Sequence, residues 1–336
     1  MGRGTPFEER RLRVLTLTNE QVLALANMKE CAQEMNSAFI TASHGKVDSP
    51  IRTRFMMSDV RNILLMPSLL RDRDTVSLKM VSVYADLGGK APSTQAVVML
   101  ADGRDGEMKC IMGGTGLTGL RTGAVSGLSC RYLAREDSRD MAMIGAGGQG
   151  FYQISGVASQ RGIRRVSIFD VERSRAITLK ERCEKELGLG ASTSESVREA
   201  TDGADIIVTA TTSKTPILDA SQVKPGTHVV AIGAYTPDTR ELTSELVSRA
   251  SIYVDSMDAA MEEAGDLLIP IREGAITAQS VRGDMAGLVS GSVKGRSRGD
   301  EITLFKAVGL AFEDNAIARM VYSRALTTKV GAWIDL

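Results

Sequence analysis

The sequence predicts an α/β protein in two parts: a parallel sheet with helices on both faces, and a separate mixed α+β domain. Three observations carry that prediction. The chain has 336 residues, more than a single hydrophobic core usually serves. From about residue 139 onward, apolar strand-like runs alternate with helical segments. Between about 50 and 112 the runs are short, rich in β-formers and split by Gly, Pro and Asp, the texture of an antiparallel or mixed sheet.

Taken in order, "VLTL" (14–17) reads as a short strand. "TNEQVLALANMKECAQEMNSAFITASHG" then has helical spacing, with Thr18 or Asn19 as cap and Gly45 at its end. "NILLMPSLL", "TVSLKMVSVYA", "TQAVVMLAD" and "EMKCIMGG" are the strands of the mixed sheet, and "GLRTGAVSGLSCRYLA" (119–134) is a helix with small residues on one face. "DMAMIGAG" is a strand entering a glycine turn, followed by a helix over 148–161, a strand "RVSIFD" (165–170) and a helix "ERSRAITLKERCEKELG". "ADIIVTATT" (204–212), "HVVAIGA" (228–234) and "SIYVDS" (251–256) are further apolar strands. "GSVKGRSRGD" (291–300) reads as a surface loop, and "GDEITLFKAVGLAFEDNAIARMVYSRA" as one long closing helix with an apolar stripe.

Composition removes several classes of function. Lys+Arg and Asp+Glu both number 41, so nothing asks for nucleic acid or an anionic membrane as partner. Cys31, Cys110, Cys130 and Cys183 lie far apart without a CxxC pair, which suggests free thiols in a reducing compartment. The N-terminal "MGRGTPFEERRLRVLTLT" carries charges where a signal peptide needs its apolar centre, and no apolar run approaches the roughly 20 residues of a membrane span. The expectation is a cytoplasmic protein. His44 and His228 are the only histidines, so no histidine-based catalysis and no metal site is expected.

The glycine turn carries the chemistry. Gly145, Gly147 and Gly150 form G-x-G-x-x-G between an apolar strand and a helix, and the next strand ends in Asp170, 25 residues after Gly145. In that setting the first glycine makes the turn, the second admits a pyrophosphate against bare backbone, and the third lets helix pack on strand. The helix N-terminus adds unpaired N–H groups for the phosphates. Ala146, Gly148 and Gln149 belong to the same cradle. Asp170 is placed to accept from both ribose hydroxyls and to repel a 2′-phosphate, which favours NAD; Arg173 and Arg175 in "DVERSR" keep NADP open. The ends of the later strands, Thr209 and Thr211, then Ile232, Gly233 and Ala234, are assigned to the same crevice.

Four blocks in order, "RTGAVSGLSCRYLAREDSR" with "MIGAGGQG", "VKPGTHVVAIGAYTPDTREL" and "EITLFKAVGLAFEDNAIARMVY", resemble the ornithine cyclodeaminase/μ-crystallin family from about residue 14 to 326. The resemblance implies an NAD(P)-binding Rossmann domain over 121–317. It also implies a substrate-binding and dimerisation domain over 1–120, completed by 318–336. It implies that Arg52 of "SPIRTR" holds a substrate carboxylate and that Lys79 of "VSLKMVSVY" is the active-site lysine. Arg121 and Thr122 of "GLRTGA" would stand at the substrate–cofactor junction and at a cofactor phosphate, and Thr94 of "PSTQAV" near the nicotinamide. Those residue types suit the chemistry. Arginine binds a carboxylate through two parallel charge-assisted bonds. A lysine shielded among cations can lose basicity and exchange protons.

The sequence also departs from that pattern. Where cyclodeaminases and related alanine dehydrogenases carry an Asp after the later strand, this chain has Tyr235, and the family's later Ser is Ala307. The missing carboxylate argues against ornithine cyclisation and leaves Tyr235 to donate a hydrogen bond or wall the site. Arg54 would share a strand face with Arg52 and could serve a dicarboxylate such as iminosuccinate. The expectation is therefore an NAD(P)H-dependent reductase of an α-imino acid, reversible as an amino-acid dehydrogenase. A cyclodeaminase using bound NAD, and a non-catalytic nucleotide or small-molecule binder of crystallin type, stay open.

Overall fold

The computed structural model describes residues 12–58, 61–84 and 94–336. Most of the charged N-terminal stretch and the first two residues of "PSTQAV" lie outside them.

The first sheet is mixed. Its order is Ala332–Asp335, Arg13–Leu17, Met108–Gly113, Thr94–Asp102, Thr75–Tyr84, Arg61–Leu70 and Val47–Asp48, with Thr53–Ser58 also pairing Arg61–Leu70. Pro67 sits inside a strand because the outer neighbours stop on either side of it: Thr53 pairs Leu65 and Asp48 pairs Leu69. A missing N–H there breaks no ladder bond. The register decides what shares a face. Arg54, Leu64, Val81 and Ala96 form one cross-strand row, and Met66, Lys79 and Val98 the next. The closing helix Ala311–Thr328 lies over this face. The opposite face carries Leu65–Met80–Val97 and Pro67–Leu78–Met99–Ile111, and Val76 and Met80 are exposed there.

The second sheet is wholly parallel, in the order Gly190–Thr193, Arg165–Phe169, Asp140–Ile144, Ile206–Thr209, His228–Ala231, Thr303–Lys306, Ser251–Val254 and Val281–Asp284. The chain winds outward from Asp140–Ile144 in one direction, then returns to Ile206–Thr209 on its other side. That reversal opens a crevice at the carboxyl ends of the strands, the usual ligand position in such a sheet.

Two expectations need correction. The expected long helix from residue 18 is two, Asn19–Ala24 and Met28–Ser43, because Asn27 caps the second by accepting from Glu30 N–H. The closing segment is not all helix. Thr303–Lys306 is a strand inserted between His228–Ala231 and Ser251–Val254, and the helix begins only at Ala311 after Gly309 turns the chain at φ +85°. Apolar spacing alone does not separate a buried strand from a helix. The short strands Gly190–Thr193, Val281–Asp284 and Ala332–Asp335 went unread. The boundaries expected at 120/121 and 317/318 fall inside the helices Gly114–Leu133 and Ala311–Thr328, so the two sheets are joined through shared helices.

One crossing fixes the geometry. Gly123 and Gly127 of the helix Gly114–Leu133 meet Gly156 of Gly150–Gln160 backbone to backbone; a Cβ on Gly156 would lie 1.8 Å from the Gly123 carbonyl oxygen. The small-residue face read from the sequence is this contact, and it ties Arg121 to the nucleotide turn.

Candidate active site

The glycine turn has the form a dinucleotide needs. Gly145 adopts φ +101°, and a Cβ there would sit 2.5 Å from the Ala210 carbonyl oxygen across the switch point. Gly150 is bare because Leu179 packs on it. Around Gly147 and Gly148 an added Cβ would meet nothing within 4 Å. Those two keep space open beside the N-terminus of Gly150–Gln160, whose cap residue Gln149 makes no side-chain cap bond. An open, uncapped helix start beside bare backbone fits a diphosphate. Asp170 fastens the turn, accepting from Ala146 N–H at 2.7 Å and Glu172 N–H at 2.8 Å. Arg173 and Arg175 are paired with Glu195 and Glu172.

The far side of the crevice is braced by buried charge. Glu241 accepts from the Thr209 hydroxyl, from the N–H and hydroxyl of Thr211, and from Gly233 N–H. Asp266 accepts from Glu241 N–H and Leu242 N–H and stands 2.9 Å from Lys306 Nζ, which also donates to the Ala234 carbonyl. Thr209, read as a cofactor contact, is fully buried with its hydroxyl given to Glu241, so it shapes the crevice from behind. Ile232 N–H donates to the Thr209 carbonyl. The Thr122 hydroxyl donates to the Thr118 carbonyl within its own helix. Thr94 lies on the Lys79 face of the first sheet, opposite Val83 and nearer the strand end.

The predicted basic residues converge. Arg52 donates to the carbonyls of Val308 and Gly309 at 2.8 and 2.7 Å and pairs with Glu263 at 2.9 Å. Lys79, 1% exposed, donates to Asp314 at 2.5 Å. Arg121 donates to Glu313 at 2.7 Å and lies 3.3 Å from Asp314, its guanidinium beside Gly309, where a Cβ would come within 2.3 Å of it. Asp255 holds the turn between strand and closing helix, accepting from Val308 and Gly309 N–H at 2.7 Å each. These groups come from both sheets and meet at the carboxyl ends of the parallel strands.

Burial sets their proton affinities. Desolvation lowers Lys79 to about 8, with Asp314 resisting and Arg121 assisting. Burial raises Glu313 to about 7 against the pull of Arg121, and it also raises Asp255 and Glu263. Beside the charges lies an apolar patch of Leu64, Met66, Val81 and Ala311, with Tyr235 and Ala96 packed on it. Arg54 donates to the Tyr235 carbonyl at 3.4 Å, stacks 5.9 Å above the Tyr235 ring and approaches Glu263 at 3.9 Å.

The match with known proteins follows the same outline. The ornithine cyclodeaminase/mu-crystallin family model matches residues 13–329. The chain belongs to that family. It is 32% identical over 327 residues to the Delta(1)-pyrroline-2-carboxylate reductase of Bacillus cereus, covering 96% of this chain and 100% of that one. The Thermococcus litoralis Delta(1)-pyrroline-2-carboxylate reductase, solved with NADH and L-proline, superposes with a TM-score of 0.93 at 38% identity over 95% of this chain and 99% of that one. An archaeal alanine dehydrogenase dimer with bound NAD superposes at 0.90 and 31%, covering 96% and 99%.

In this family member, sequence reading missed the acidic partners Asp255, Glu263, Glu313 and Asp314. One signal was available. "FEDNAIA" sets three consecutive polar residues into an apolar helix, and Glu313, Asp314 and Asn315 are all buried.

Proposed function

We propose that this enzyme reduces a cyclic α-imino acid, of the Delta(1)-pyrroline-2-carboxylate type, to the amino acid with NADH. The carrying observation is that Arg52, Lys79 and Arg121 gather beside an uncharged patch of Leu64, Met66, Val81 and Tyr235 at the mouth of a dinucleotide crevice. The cations suit one carboxylate, and the patch suits a hydrocarbon ring. Arg54 lies over the Tyr235 ring at the edge of that patch, and iminosuccinate in the substrate panel tests whether it takes a second carboxylate.

Bound NADH supplies a hydride to the imine carbon. The protein's part is positioning and proton supply. Gly147 and Gly148 give backbone to the diphosphate, and Asp170 holds the turn toward the ribose. Arg121 and Arg52 orient the carboxylate so that the imine carbon faces the nicotinamide. Lys79, charged at neutral pH and less basic than in water, donates from Nζ to the imine nitrogen. Thr94 and Thr122 border the cofactor, and Tyr235 walls the ring.

We place the dimer interface on the uncovered apolar face of the first sheet, around Met80, Val97 and Met99; this assigns dimerisation to the domain that binds substrate. Among the described residues no helix is long and apolar enough to cross a membrane, and all four cysteines are buried free thiols, which supports the cytoplasm as location.

The deciding experiment follows NADH and NADPH oxidation with Delta(1)-pyrroline-2-carboxylate, its six-membered homologue, iminosuccinate, and pyruvate with ammonia. The expected result is NADH loss fastest with a cyclic imine. Ammonia release from ornithine with catalytic NAD, without cyclic-imine reduction, would overturn the assignment.

A further inference from the structure

We infer that Glu313 takes up the proton that admits an anionic substrate, so that carboxylate binding and protonation of this one side chain are coupled. The inference rests on the reading of the site as a carboxylate-binding imine reductase. Its ground is charge balance. Arg52, Arg54, Lys79 and Arg121 are set against Glu263, Asp255, Glu313 and Asp314, and every cation already touches an acid or a carbonyl. A substrate carboxylate entering this buried cluster brings a charge with no counterion, and an unpaired buried charge is costly.

The hydrogen bonds single out which acid yields. Asp255 accepts from the N–H groups of Ser256, Val308 and Gly309. Asp314 has Lys79 at 2.5 Å on Oδ2, and its Oδ1, though it accepts no hydrogen bond, has the Arg121 cation at 3.3 Å. Glu263 has Arg52 at 2.9 Å. Glu313 has Arg121 on Oε2 alone, while its Oε1 is buried without any partner. It is the least satisfied anion, and an O–H there gives the orphan oxygen a proton to donate. It also releases Arg121, whose Nε lacks a hydrogen-bond partner, to the incoming carboxylate.

The groups facing Glu313 are Arg121 from the helix Gly114–Leu133, Asp255 from the end of Ser251–Val254, and Asp314 on its own helix. Lys79 from the first sheet lies behind Asp314. Glu30 and Glu34 of the helix Met28–Ser43 are occupied further along by Arg324 and Arg319. Burial already holds Glu313 at about 7, so the step falls in the neutral range.

The test is titration calorimetry of pyrrole-2-carboxylate, a ring monoanion without a basic nitrogen, into the enzyme–NADH complex, in two buffers of different ionisation heat, from pH 6 to 8. The expected result is uptake approaching one proton per bound carboxylate above pH 7 and little at pH 6. Affinity should fall toward roughly tenfold per pH unit above 7. Glu313→Gln should bind without that uptake and with flat affinity over the same range. Wild-type binding with no proton exchanged, an uptake centred near 8 as Lys79 would give, or unchanged uptake in Glu313→Gln each overturns the inference. The wild-type arm stands even where the variant does not fold. If cyclic imines are turned over but binding is proton-neutral, only this inference falls. If no carboxylate binds and no imine is reduced, the proposed function falls and takes the inference with it.

Discussion

Asp314→Asn isolates the role of the buried lysine. Lys79 is sealed from water, its ammonium held by Asp314 at 2.5 Å, with Arg121 and Arg52 near enough to oppose it. In the fold its pKa is lowered from 10.5 to about 8, so at pH 7 protonation stabilises the native state by about 1.4 kcal/mol over the neutral amine. Removing the Asp314 charge lowers it further, and the amine sits neutral. The sign follows from linkage. The unfolded chain keeps its higher basicity, so the deficit against wild type is smallest above pH 9 and grows by about 1.4 kcal/mol per unit below 8, until the variant's lysine protonates in turn. Breaking a buried pair outright costs about 3–5 kcal/mol, which sets the ceiling. Urea denaturation from pH 6 to 9 should show this slope. The alkaline limb of kcat, which is free of the binding step linked to Glu313, should move to lower pH, with KM for the imine raised. A deficit independent of pH, together with an unmoved limb, would refute the account of Lys79 as a desolvated acid held by Asp314.

The remaining predictions probe other parts of the fold. Gly147→Ala meets no atom within 4 Å, so it should fold with unchanged Tm while NADH affinity drops at least tenfold, read by fluorescence titration; Gly145→Ala, strained at φ +101° and against Ala210, should lose stability instead. Met99→Asp, on the uncovered sheet face, should yield monomers in analytical ultracentrifugation, and a persistent dimer would place the interface elsewhere. His228 is held neutral by burial, with its pKa lowered from 6.5 to about 3 between Ser129 and Thr303. Its contribution is therefore complete above pH 6.5 and lost as pH falls, about 2 kcal/mol by pH 5, and His228→Gln should flatten that part of the stability curve.

The sequence was most readable where function is local. The turn Gly145–Gly150 and Asp170 lie within one strand–helix–strand unit, so spacing alone reports their geometry. Arg52, Lys79 and Arg121 lie on separate elements and are ordinary basic residues to any local test; only resemblance gathered them. Thr303–Lys306 was misread because a fully buried strand and a buried helix share the same apolar run, and the slot that decides between them is made by His228–Ala231 and Ser251–Val254. The acidic partners of the basic residues left only the weak signal of polar residues in an apolar helix. Glu313 and Asp314 stand in the first turn of a helix, where acids are favoured by the helix dipole whatever their function.

Those acids have a physical necessity that runs from fold to function. A site that binds a carboxylate in a dry pocket needs cations, and buried cations without ligand would disfavour folding. Glu263 on Arg52 and Asp314 on Lys79 and Arg121 meet that need in the empty protein. The same pairing opposes the ligand, since each cation is already bound. Affinity for an anionic substrate therefore depends on an acid that can give up its charge without giving up its place, and the half-satisfied Glu313, adjoining Arg121, is built on that pattern. Recognition and folding are thus set by one charge count, and removing either acid's charge, by Asp314→Asn or Glu313→Gln, should move stability and binding together but in different pH ranges.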